Sequence, residues 1–241
     1  MTGMARSDNL DQLIERRQRL EARQTAEPEF AQRLQELRAW QAARLAQTYQ
    51  DLRRDPQLSP AVEFFLSDLY GPQDFTRRNL ELTRAWRYLK RALPEPALEV
   101  LGQAIELEVL TVELDQAMVA QLPPGPINRA TYAAAYRALG LPDARKHQID
   151  LIIGIGEALK RIAKRPWIGL ALRAAHAPAH AAGFGVLQDF IERGFAGFRR
   201  VQDAQRLLQT IRLRETQLLE ALLCGSENPF DALTPQQPQR V

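Results

Sequence analysis

The chain has 241 residues, 45% of them hydrophobic and 25% charged, as in globular proteins that bury a sizeable core. Its 32 basic and 29 acidic residues leave a net charge of +3, too small an excess to call for nucleic acid. A single cysteine, Cys224, excludes an intrachain disulfide and a cysteine metal cluster, and no run reaches the roughly 18 apolar residues of a membrane span. Residues 1–9 lack the apolar stretch of a signal peptide, so a cytoplasmic protein is expected. Ala, Leu, Arg, Gln and Glu dominate, and no segment alternates with period two. The expected fold is all-α, a bundle of about nine or ten helices.

Residues 9–25 read as a polar helix anchored by Leu10, Leu13, Ile14 and Leu20. A second helix runs from Pro28 to about Arg54. Its seam is Phe30, Leu34, Leu37, Leu45, Thr48 and Leu52, interrupted by Gln41, with Trp40 and Tyr49 beside it. The short link Thr25–Pro28 predicts an antiparallel hairpin. Each helix is apolar on one side only. The pair therefore packs on the body, projects from it, or meets a protein partner or a second copy of the chain. The expected division is a hairpin over 1–56, a helical body over 57–225 and a loose tail over 226–241.

The next segment writes in both ends of a short helix. Ser59 is expected to cap it, and Pro60 fits the first helical position. Val62, Phe65, Leu66 and Leu69 share one face, Gly71 suits a left-handed end, and Pro72 prevents resumption. Phe64, Phe65 and Tyr70 concentrate aromatics here, so the helix is expected at the middle of the core with Phe65 and Leu66 fully buried. The run Phe64-Phe65-Leu66-Ser67-Asp68-Leu69-Tyr70 resembles the signature of the bacterial FFLEELY-motif proteins, with five of seven letters matching. Leu187–Phe195 resembles the same family, so the resemblance spans about residues 58–230. It implies no activity, cofactor or catalytic residue. Ser67 in place of an acid argues against a paired-carboxylate role for the motif.

Asp74 is expected to cap a helix with Phe75, Leu82, Trp86, Leu89 and Leu93 inward. The segment Glu95–Leu122 carries two apolar faces, one with Leu98, Ile105, Val109 and Val112, the other with Val100, Leu107, Leu114 and Met118. Acidic lines run between them: Glu99, Glu106 and Glu113, then Glu108 and Asp115. A helix apolar on two sides must be contacted on two sides, so it is expected to be the central post, with a solvated acidic strip. Pro123-Pro124-Gly125-Pro126 stops it. Helices follow over Ile127–Leu139, Pro142–Arg165 and Trp167 to about His176, where Pro178 should break or kink the chain. Leu187, Phe190, Ile191, Phe195 and Phe198 form a stripe on the next. Val201, Ala204, Leu208, Ile211, Glu215, Leu218 and Leu222 keep a seven-residue repeat in the last. Glu215 lies in that seam. A buried carboxylate needs a cation, and an arginine from another helix is the expected partner.

Candidate chemistry is sparse. The di-iron bundle pattern needs two Glu-x-x-His pairs, and none occurs; the nearest is His147-x-x-Asp150, with Glu157 two turns on. His176-Ala-Pro-Ala-His180 has the i, i+4 spacing of a ligand pair, but Pro178 distorts it and no Glu intervenes. Histidines capping carbonyls, or meeting Asp189 or Glu192, are the plainer reading. Neither metal nor haem is expected. Gly154 and Gly156 near Lys160 lack the strand and the Gly-Lys-Ser/Thr of a phosphate loop, and are read as a site of close helix approach. Basic clusters at Arg84, Arg87, Lys90 and Arg91 and at Lys160, Arg161, Lys164 and Arg165 sit at helix ends, where the dipole favours them. Trp86 and Trp167 beside them are expected to point inward.

The reading that follows is a non-enzymatic binding or scaffolding protein, without cofactor. Its alternatives are a metal- or haem-dependent helical enzyme using His147, His176 and His180, and a nucleic-acid-associated protein using the basic clusters.

Overall fold

Proline and glycine punctuation cuts the chain into helices, and the computed structural model has no strand among the residues it describes. These are the backbone of 2–69, 76–92 and 95–231, and the side chains of 11–67, 77–86, 88–89 and 98–231. The order is α1 (Thr2–Ala26), α2 (Pro28–Thr48), α3 (Gln50–Arg54), α4 (Ser59–Phe64), a π-helical turn (Phe65–Leu69), α5 (Thr76–Ala92) and α6 (Glu95–Gln121). It continues with α7 (Arg129–Leu139), α8 (Pro142–Ala163), α9 (Pro166–Ala181), α10 (Gly185–Arg200) and α11 (Ala204–Leu223). The fold is an all-α multi-helix bundle.

Both apolar faces of α6 are covered. Ile105 and Val109 cluster with Leu13 and Ile14 of α1, Trp86 of α5 and Leu187 of α10. Met118 joins the main core, built from α2, α4, α7, α8 and α11, and Leu107 packs with Leu151 and Ile155 of α8. The acidic lines between the faces are not a free solvated strip. Glu113 takes a bidentate contact from Arg16 of α1, Glu108 accepts from Asn79 of α5, and Glu106 lies 2.8 Å from His147 of α8. Asp115 is buried and accepts from Gln41 Nε2 at 3.1 Å. Burial pushes its carboxyl above the usual range, against the pull of Arg38 and Arg145. Glu99 stays exposed.

The hairpin of α1 and α2 lies against α6. Leu34, Leu37, Leu45 and Leu52 are buried in the main core, so the body covers the apolar seam of α2 and α3. Tyr49 interrupts the expected single helix, and the chain restarts as α3. On the outer side, Arg214 of α11 holds Asp51 through two bonds of 2.8 and 2.7 Å, which lowers the Asp51 carboxyl below its ordinary value. That contribution is fully present above the unfolded carboxylate value of about 3.9 and is lost as pH falls through the depressed folded value. Asp51→Asn should therefore flatten the acid limb of a pH–stability curve, by less than about 1 kcal/mol because the pair is part-exposed. A curve unchanged in that limb would contradict the pairing.

The aromatic helix differs from expectation in three ways. First, Ser59 does not cap it; Leu58 precedes the first turn and no side-chain cap bond forms, while Asp55 accepts from the backbone of Gln57. Second, α4 passes into a π-turn at Phe65, which shifts the phase of the following side chains. Third, Phe64 is therefore the buried ring, whereas Phe65 and Leu66 are half-buried at the edge of the core. The side chains of Asp68, Leu69 and Tyr70, and the expected Gly71–Pro72 stop and Asp74 cap, lie outside the described residues.

The expected apolar stripe of α10 is only part of its buried side. Ile191 is exposed, and Gly194 and Gly197 are buried where Phe64 and Pro60 of α4 press against them. Gly156 of α8 likewise admits Leu208 of α11, the close approach expected of small residues. Val201 lies in the link before α11, which Asp203 caps by accepting from Arg206 N at 2.9 Å. Beyond α11 the chain is not loose as far as Phe230. That ring is buried between Trp40 and Tyr132, while residues 232–241 lie outside the described residues.

Candidate functional site

The helix α9 is built from strong helix formers and carries a single permanent charge, Arg173. Pro166 starts it. Pro178 does not end it: the helix runs on to Ala181. The missing N–H of Pro178 frees only the carbonyl of Ala174, on the exposed side where water can bond it. The actual end is a left-handed Gly183, with Phe184 N donating to Ala179 O at 2.8 Å and Gly183 N to His180 O at 3.1 Å. The chain then reverses into α10. Gly169 lets Phe195 approach, and Gln188 Nε2 donates to Leu172 O, so one face of α9 is fastened to α10.

The opposite face is the anomaly. At about 100° per residue, Trp167, Leu170, Ala171, Ala174 and Pro178 fall on one side. All are exposed, with Trp167 at 55% and Leu170 at 65%. Trp167 thus points outward, contrary to the sequence expectation, while Trp86 is buried and its Nε1 donates to Asp11 at 2.6 Å. A solvated helix ordinarily turns charge to water. This one turns tryptophan, leucine and alanine, and the exposed Arg161, Lys164 and Arg165 lie in the chain just before it, while exposed Arg173 falls toward the α10 side. None of these four cations has an acidic partner within 4 Å among the described residues. Lys160 is engaged, donating to Glu157 and to Gln205. In the other basic cluster, the Arg84 guanidinium lies over the Phe184 ring, and the side chains of Arg87, Lys90 and Arg91 lie outside the described residues.

The three histidines fall into two sets. His147 pairs with Glu106 on α6. His176 and His180 project from α9 toward α10 with ring centroids 4.4 Å apart. His176 Nδ1 is 3.1 Å from both Glu192 oxygens, and His180 Nε2 is 2.8 Å from Asp189 Oδ1. Glu215 accepts from Arg44 Nη1 of α2 and from the Tyr49 hydroxyl, each at 2.8 Å. Cys224 is exposed. Below the motif lies an apolar cavity of about 30 Å³, lined among others by Val62, Phe65, Ile155 and Leu208. Tyr49 is the one titratable residue in its lining, so this cavity assembles no acid–base pair.

Sequence reasoning missed the outward face of α9. Its signal was present: sixteen residues with one permanent charge cannot divide into an apolar and a charged side. No helix among the described residues is long and apolar enough to cross a membrane. Residues 20–229 match a family model described as a domain of unknown function (DUF8198). No curated protein and no solved structure matches the chain.

Proposed function

Since the chain belongs to this family, the domain of unknown function DUF8198, we propose from its geometry that it is a non-enzymatic helical binding protein that docks an acidic amphipathic helix of a partner on α9. The observation that carries this reading is the exposed, uncharged face of Trp167, Leu170, Ala171, Ala174 and Pro178, entered from exposed Arg161, Lys164 and Arg165, which have no acidic partner among the described residues. Ala171 and Ala174, following Trp167 and Leu170, leave a shallow surface that another helix can approach closely. The apolar positions supply affinity, and these arginines and this lysine select acidic flanks. The hairpin is less suited, because its leucine seam is covered by the body.

The test is a titration of the full chain with synthetic amphipathic helices that share an apolar face and carry acidic, neutral or basic flanks. The acidic peptide should bind best and lose affinity with added salt. The variant Trp167→Ala Leu170→Ala should weaken it at least about tenfold, with the far-UV spectrum unchanged. Equal binding of acidic and basic peptides, or an unaffected double variant, would sink the reading. So would preferential binding to anionic vesicles, or self-association through α9 seen in sedimentation.

A further inference from the structure

We propose that His176, His180, Asp189 and Glu192 form a binding site for a divalent transition metal of the zinc class, which clamps α9 to α10. The two histidines stand one turn apart on α9, and the two carboxylates stand three residues apart on α10. The hairpin at Gly183 brings the four together. Candidate ligand atoms are 2.8 Å (His180 Nε2 to Asp189 Oδ1), 3.1 Å (His176 Nδ1 to Glu192 Oε1) and 4.0 Å (His176 Nδ1 to Asp189 Oδ1) apart. A tetrahedral ion with bonds of about 2.0–2.1 Å separates its ligand atoms by roughly 3.3 Å. His176, His180 and Asp189 already hold ligand atoms within 4.8 Å of one another, and Glu192, 3.1 Å from His176, would complete the set on rotation.

The surroundings are arranged for those rotamers. Gln188 is buried, and its Nε2 donates at 2.8 Å to Glu192 Oε1 while also bonding Leu172 O, so it orients a ligand as an outer partner does. Gly185 leaves room for the His180 ring: a Cβ there would stand 2.6 Å from His180 Nδ1. Two imidazoles and two carboxylates suit zinc, nickel or copper(II) and not magnesium or calcium, which take oxygen ligands. With Glu192 as the fourth ligand beside His176, His180 and Asp189, no position stays open, and the site is structural or regulatory rather than catalytic. This inference does not depend on what docks on the outer face of α9.

The experiment is calorimetric titration of untagged, chelator-treated full chain in a Cys224→Ser background, with zinc and then magnesium, alongside hydrogen exchange of α9. Zinc should bind saturably at one ion per chain and slow exchange across α9, and magnesium should do neither. His176→Ala His180→Ala should abolish both effects, and Gln188→Ala should weaken zinc about tenfold or more. The exposed histidines make loss of the fold in the double variant unexpected, and its melting curve checks this. No saturable zinc binding to the parent chain overturns the proposal. Binding retained in the double variant, or removed by His147→Ala, overturns it equally.

Discussion

Glu215→Ala should destabilise the protein by about 3–5 kcal/mol, measured as a shift in urea midpoint at constant slope. Glu215 accepts from Arg44 Nη1 at 2.8 and 3.2 Å and from the Tyr49 hydroxyl at 2.8 Å. The side chains of Arg44 and Glu215 are only 14% and 16% exposed. Burial disfavours the charge on Arg44, but Glu215 more than offsets this and holds the guanidinium above its ordinary value. Burial, and then Glu215, push the Tyr49 hydroxyl well up, which keeps it a donor. Alanine strands the arginine in the core, where its Nε already lacks a partner. Asp51, on the next helix, is already held by Arg214. Arg44→Ala should cost a similar amount, and the double variant less than the sum. A loss below about 1 kcal/mol would mean that the pair behaves as a surface contact.

Phe64→Ala should cost about 3–5 kcal/mol, and Phe65→Ala clearly less. The Phe64 ring is 7% exposed, stands 5.4 Å from the Phe190 ring, and fills the notch over Gly194 and Gly197. Its removal leaves a cavity between α4 and α10 that rigid helices cannot close. Phe65 sits at the rim, edge-on to Tyr49 at 6.4 Å between centroids. The converse change, Gly194→Ala, puts a Cβ 2.7 Å from Phe64 Cζ and should cost about 1–3 kcal/mol. Thermal melts of the three variants decide the matter. A larger loss for Phe65→Ala than for Phe64→Ala would contradict the π-turn and the face it selects.

Helix existence, the two-sided contact of α6 and the all-α class were legible in the residues, because each follows from local periodicity, proline placement and the need to bury apolar faces. An acid at a seam position signals that a cation must meet it. Only the packing shows that the cation is Arg44, 171 residues away in sequence. The same limit applies to Phe64 and Phe65. A 3/4 pattern assumes α geometry throughout, and one π-turn exchanges the buried ring for its neighbour. Glycine carries no side chain for a periodicity to register, so the groove of Gly194 and Gly197 was silent until Phe64 filled it.

The sequence by itself determined that the chain is cut into helices and that apolar faces need covering. Tertiary structure alone decided which faces are covered, and α9 is the case that matters for function. Read locally, Trp167 belonged inside, because a large apolar side chain gains most from burial. In the fold, α10 fastens the Gly169 and Leu172 side of α9, nothing described packs on the other, and Trp167 stays in water. Pro178 likewise looked like a break, yet an exposed carbonyl can bond water in place of the missing N–H. The helix therefore continues and carries His180 to its place beside His176, Asp189 and Glu192. Spacing along one helix is a local property. The distance from that helix to the carboxylates on the next depends on a turn whose geometry is set by Gly183 and by packing.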